Sequence, residues 1–167
     1  MIEINDVLLS PEQLQQHGIR IAENHRLSSK EKTAVSLKGR LKKNYDEIFN
    51  IYKNLNKDIK EDIYLTPPCE WLLDNFYILE NQVKSIYHGL SRERTQKLKV
   101  LDNNNFKGIL RIYALSLEMV SHSDGRIDEK LILDFLEAYQ TRKTLTIAEL
   151  WVLPLMLVIA LIENINI

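Results

Sequence analysis

The chain has 167 residues and a mass of 19.6 kDa, the size of one domain or of one compact piece of a larger protein, and two independent domains do not fit. Gly and Pro together supply nine residues, about half their usual combined share of roughly 12%, which excludes a loop-rich sandwich, a collagen-like chain or a flexible linker. A 45% hydrophobic and 27% charged composition with a net charge of −1 excludes disorder as the main state and supplies no basic footprint for nucleic acid.

The chain opens Met-Ile-Glu-Ile-Asn-Asp, with acids where a secretory signal needs positive charge. The first helix is predicted over Pro11 to about His25. Ser10 is its N-cap, Pro11 takes the first position, Gln13 closes a capping box, and Leu9 staples to Leu14. Ser28 to Ala34 reads as a polar connection. A second helix is predicted from Leu37, Leu41, Ile48, Ile51, Tyr52 and Leu55, ending near Leu55, with Asn56 to Leu65 as a charged connection. The basic run Lys38, Arg40, Lys42 and Lys43 is expected to be a solvated face.

Thr66-Pro67-Pro68 starts a third helix. The apolar residues Leu72, Phe76, Leu79, Val83, Ile86 and Leu90 fall on one of its faces, and core packing accounts for that stripe. Asp102 to Asn105 reads as a turn. The next helix, Gly108 to about Val120, is apolar on nearly all sides and is expected at the centre. Ser121 to Asp128 is a tight connection in which Gly125 takes a positive φ and Asp128 caps a helix running to about Gln140.

Thr146-Ile147-Ala148-Glu149 forms the capping box of the last helix, with Leu145 and Leu150 as its staple and Pro154 as an expected kink. Its uncharged stretch, Leu150 to Ile162, is thirteen residues, short of the roughly 20 that span a bilayer, so a buried core helix is expected. The reading is an all-α fold of five or six helices in a single bundle-like domain. Residues 10–57 form the N-terminal helices and 66–164 the core.

Candidate chemistry is sparse. Placing Gly125 at the sixth position of a calcium loop puts Val120 and Leu131 where oxygen ligands are required. His17, His25, His88 and His122 show no His-x-x-x-His or Glu-x-x-His pair. No metal is therefore expected, and the histidines are read as isolated surface or capping residues. No phosphate-cradling Gly-rich or Lys loop and no nucleophile turn is present, so no cofactor is expected. The lone Cys69 supports neither an intramolecular disulfide nor thiol chemistry. Acid pairs such as Glu70 with Asp74 share a helix face, as they do on any solvated helix, and no catalytic residue is assigned. Trp71 and Trp151 are read as anchors in the core or at a domain contact, or else as platforms for sugar stacking. Arg111, inside an apolar helix, needs a partner because an unpaired buried charge is costly. Asp74 is the expected one.

The run Leu65-Thr66-Pro67-Pro68-Cys69-Glu70-Trp71-Leu72-Leu73-Asp74-Asn75-Phe76-Tyr77, then Arg111-Ile112-Tyr113-Ala114-Leu115, His122-Ser123-Asp124-Gly125-Arg126, Ala138-Tyr139-Gln140, Leu145 to Trp151 and Leu161-Ile162-Glu163-Asn164, resembles the amino-terminal region of cyclic β-1,2-glucan synthases. The resemblance covers residues 65–164 well and the first sixty weakly. It implies a piece of a large inner-membrane glycosyltransferase that uses UDP-glucose, with glycoamylase-like and phosphorylase-like regions further on, and this piece on the cytoplasmic side and itself soluble. The catalytic residues of that family have no counterparts in this sequence. What carries over is a set of binding or docking candidates: Glu70, Trp71, Asp74, Asn75, Arg111, Tyr113, Asp124, Arg126, Glu149 and Trp151. Two readings stay open. One is a non-catalytic accessory domain docked on the downstream domains of the same protein; the other is a carbohydrate-binding module holding the growing β-glucan. The chain stops at Ile167 directly after an apolar helix, as a cut inside a longer protein would. Self-association through that helix is expected.

Overall fold

A computed structural model describes residues 7–28, 36–61, 63–91, 95–103 and 106–165. Among these residues there are six helices: α1 (Pro11–Asn24), α2 (Leu37–Lys60), α3 (Pro67–Gly89), α4 (Arg111–His122), α5 (Glu129–Gln140) and α6 (Ile147–Asn164). Extended pairing among the described residues is limited to two isolated bridges, Leu27 with Leu101 and Val100 with Leu110. The fold is all-α, as composition and periodicity predict.

Helix ends follow local chemistry closely. Ser10 Oγ accepts from the Gln13 amide at 3.3 Å while Gln13 Oε1 accepts from the Ser10 amide at 2.9 Å, completing the α1 capping box. Asp128 Oδ1 accepts from Leu131 N at 2.8 Å and starts α5. Thr146 and Glu149 form the reciprocal box at α6. Gly125 has φ +69°, as the tight connection requires. Asn103 joins two loops, its side chain accepting from the Arg26 amide and donating to the Asn24 carbonyl. The readings for residues 29–34, Asn104, Asn105 and Ile167 lie outside the described residues.

Several boundaries differ from the pattern reading. Helix α2 continues to Lys60, because Asn, Lys and Asp on an exposed face cost a helix little when its other face is packed. The central helix begins at Arg111, not Gly108: Gly108 has φ +81° and Leu110 is extended and bridged. The staple at α6 is half made, with Leu145 buried and Leu150 40% exposed. In the basic run Lys38, Lys42 and Lys43 are exposed, but Arg40 is half-buried and paired.

The core sits on α4, where every residue from Arg111 to Val120 is buried. Helix α6 packs along it and covers Val152, Leu153, Met156, Leu157, Ile159, Ala160 and Ile162. It is 18 residues long with mean hydropathy 1.9, long and apolar enough to cross a membrane by length and composition; 44% of it is buried inside the fold, while Ile147, Leu150 and Trp151 are exposed. Helices α1 and α5 form a second pair, close enough that a Cβ on Gly18 would lie 3.2 Å from the Phe135 carbonyl oxygen. Helices α2 and α3 form a hairpin joined by stacked rings of Tyr45, Phe49, Tyr52 and Phe76 and seated on α6.

Candidate functional site

The first residue of α4 carries a deeply buried charge. Arg111 Nε donates to Glu149 Oε1 at 2.9 Å and its Nη2 to Glu149 Oε2 at 2.5 Å, with side chains 3% and 0% exposed. A third bond from Nη2 reaches the Thr144 carbonyl at 3.1 Å. This bidentate fork holds the carboxyl. Burial alone would raise the Glu149 pKa, but the Arg111 bonds and the Thr146 amide overcome it and hold it below the usual range. The expected Arg111–Asp74 pair is therefore incorrect. Asp74 is exposed on α3, whereas the α4–α6 contact brings the start of α6 against Arg111, and Glu149 serves both as cap and as counter-ion.

A second, half-buried cluster lies at the other end of α6. The Tyr113 hydroxyl donates to Glu163, which also accepts from Arg40 of α2, and the Arg40 guanidinium lies 5.9 Å from the centre of the Tyr113 ring. Burial first, then the Glu163 charge, pushes the Tyr113 phenol well above its ordinary value, with Arg40 opposing. Glu149 and Glu163 thus pin both ends of α6 to its neighbours.

The remaining sequence candidates lie on the surface. Glu70, Asp74, Asp124 and Arg126 are exposed; Asn75 is half-buried and its side-chain amide donates to the Trp71 carbonyl at 2.8 Å. Trp71 is 61% exposed and Trp151 81% exposed, so neither is a core anchor. They are not brought together either. The α2–α3 hairpin meets α6 near Gly89, where Leu155 approaches, and Trp71 is eighteen residues away, about 27 Å of helix. Trp71 shares its exposed face with Asp74, Tyr77 and Ile78, while Trp151 shares one with Ile147 (75% exposed), Leu150 and Pro154.

Two groupings escaped the sequence reading. His25, at the end of α1, is 3% exposed; its Nδ1 lies 3.0 Å from the Tyr139 hydroxyl and its Nε2 has no hydrogen-bond partner among the described residues. Burial drives its pKa down to about 4. Beside it opens a cavity of about 430 Å³ lined by Ile21, Asn24, Arg26, Asp102, Asn103 and Phe106, and neither tryptophan borders it.

The second grouping is His17, Glu118 and His122. His17 Nε2 lies 2.7 Å and His122 Nε2 3.2 Å from the same carboxylate oxygen, Glu118 Oε2. Burial alone would raise the Glu118 pKa, but bonds from both histidines hold it down at about 2. These histidines are therefore not isolated. The Glu118-x-x-x-His122 spacing was visible as a helix-face pair, but nothing in the sequence placed His17, about a hundred residues earlier, beside it.

Fold and site together define a helical domain built around buried, internally matched ion pairs, with two separate aromatic faces left outside. No family profile matches the chain. It is similar to the cyclic beta-(1,2)-glucan synthase NdvB of Rhizobium meliloti (strain 1021), 31% identical over 129 residues, which is 77% of this chain and 4% of that protein. The chain is related to the cyclic β-(1,2)-glucan synthase family, and its match spans a small fraction of that relative's length.

Proposed function

We propose that this chain is a non-catalytic helical accessory domain of a cyclic β-1,2-glucan synthase-like glycosyltransferase, and that it docks on and orients the downstream regions of the same polypeptide. The carrying observation is the division of labour among the candidate residues. Arg111, Tyr113 and Glu149 are buried and spent on one another or on Glu163, whereas Ile147, Leu150 and Trp151 form an apolar face turned outward. A buried fork fixes architecture, and an aromatic anchor on an apolar face is what interfaces use. The longer protein would use UDP-glucose and place this domain on the cytoplasmic side of the inner membrane. A cut-out domain would self-associate through the same α6 face.

The exposure of Trp71 beside Glu70 and Asp74 favours a second reading, in which that face holds β-glucan by ring stacking. Producing this chain and the remainder of its polypeptide separately and measuring their association tests the first reading. Binding is expected, and Trp151→Asp should abolish it; no association, or association indifferent to that change, refutes docking through α6. Titration with β-1,2-glucan, followed by tryptophan fluorescence, tests the second: saturable binding lost in Trp71→Ala would replace docking with sugar binding.

A further inference from the structure

The His17–Glu118–His122 cluster joins α1 to the C-terminal half of α4, about two turns and more beyond Arg111. Its three ligand atoms lie within 4.8 Å of one another, and Glu118 and His122 are buried. The remaining nitrogen of His122, Nδ1, lies 2.7 Å from the Val7 carbonyl oxygen. A carbonyl only accepts, so Nδ1 carries the proton and donates it. In a neutral imidazole this leaves the Nε2 lone pair facing the Glu118 carboxylate at 3.2 Å. Two acceptors so close require a positive occupant between them, either a second proton or a metal ion. An imidazole that donates one N–H to a backbone carbonyl and turns the other nitrogen inward is the usual outer-shell arrangement of a metal ligand.

The spacing suits a small cation. Bonds of about 2.0 Å in a tetrahedral site set ligand atoms about 3.3 Å apart. The His122–Glu118 separation of 3.2 Å already matches. His17, the most exposed of the three with 19% of its side chain accessible, must swing about half an ångström away from Glu118 and towards His122, since the three atoms now lie within 4.8 Å of one another. Two imidazoles and one carboxylate suit Zn²⁺ among the divalent ions and leave a fourth position for water.

We propose that His17, Glu118 and His122 form a divalent-metal site, selective for Zn²⁺ over Ca²⁺ and Mg²⁺, that clamps α1 to α4. The segment leading into α1 is tied to the same place, since the Leu9 amide donates to the His122 carbonyl at 3.1 Å, so the ion also fastens the start of the fold. The absence of a His-x-x-x-His or Glu-x-x-His pair, from which no metal is expected, does not bear on such a site, which takes two ligands from α4 and one from α1.

The test is calorimetric titration of the chelator-stripped chain with ZnCl₂ at neutral pH. One ion per chain should bind and raise the melting temperature, with Ca²⁺ and Mg²⁺ inert. His17→Ala, at the accessible edge of the cluster, should weaken Zn²⁺ at least about tenfold with the helical circular dichroism unchanged, and His88→Ala should change nothing. Co²⁺ should give visible absorption bands of a tetrahedral nitrogen and oxygen site, lost in His17→Ala. Absence of saturable Zn²⁺ binding, or binding unaltered in His17→Ala, overturns the proposal and leaves a proton as the occupant.

Discussion

Replacing Glu149 by glutamine removes one charge and almost no volume, so it isolates the electrostatic role of the buried pair. Glutamine still accepts from the Thr146 amide, so the capping box survives in outline. Arg111, 2% exposed, keeps its bond to the Thr144 carbonyl but loses its counter-charge. Loss of one partner of a buried pair costs about 3–5 kcal/mol. Urea unfolding followed by circular dichroism should therefore show a destabilisation of about 3 kcal/mol. Arg111→Met alone should cost a similar amount by stranding the carboxylate. The double variant Arg111→Met/Glu149→Gln should recover much of the loss, since a well-packed neutral replacement of an ion pair is often near neutral. A loss below about 1 kcal/mol for Glu149→Gln, or a double variant as unstable as the two single losses added, would refute the argument that α4 and α6 are locked by a desolvated fork.

His25 gives a pH-dependent counterpart. Its pKa falls from 6.5 to about 4 on folding, so the stability gained by keeping it neutral is fully present above pH 6.5 and is lost as pH falls towards 4. The shift amounts to about 3 kcal/mol, and the stability of wild type minus that of His25→Gln, measured by urea unfolding from pH 7 to pH 4, should shrink by that amount. Gly125→Ala forces an L-residue to φ +69°; since the nearest atoms, on Asn164 and Leu161, are at ordinary contact distance, backbone strain alone should lower stability by about 1–2 kcal/mol. Trp151→Ala, at an 81% exposed position, should change the melting free energy by less than about 0.5 kcal/mol, and a larger loss would mean that this ring is part of the core.

Much of the fold was legible because helix starts and stripes are written in neighbouring residues. Ser10 with Gln13, Asp128 with Leu131 and Thr146 with Glu149 act over three positions, so the chain needs no tertiary partner to specify them. The apolar surround of α4 likewise announced a central helix. Sequence pattern favours Asp74 as the partner of Arg111, because the capping box already accounts for Glu149, and only the packing of α6 against α4 lets Glu149 fill both roles. The pattern does not say that Trp71 and Trp151 face outward, since an aromatic on a helix can point either way.

The order and spacing of the sequence blocks was enough to indicate the relationship to cyclic β-1,2-glucan synthases, a property of the string of residues and not of their positions in space. The tertiary structure alone decided the juxtapositions: His17 with Glu118, His25 with Tyr139, Arg40 with Glu163 and Arg111 with Glu149, pairs separated by 101, 114, 123 and 38 positions. Local bonds are fixed by the geometry of a single turn, whereas these depend on how helices cross, which is settled only when the whole apolar surface is buried at once.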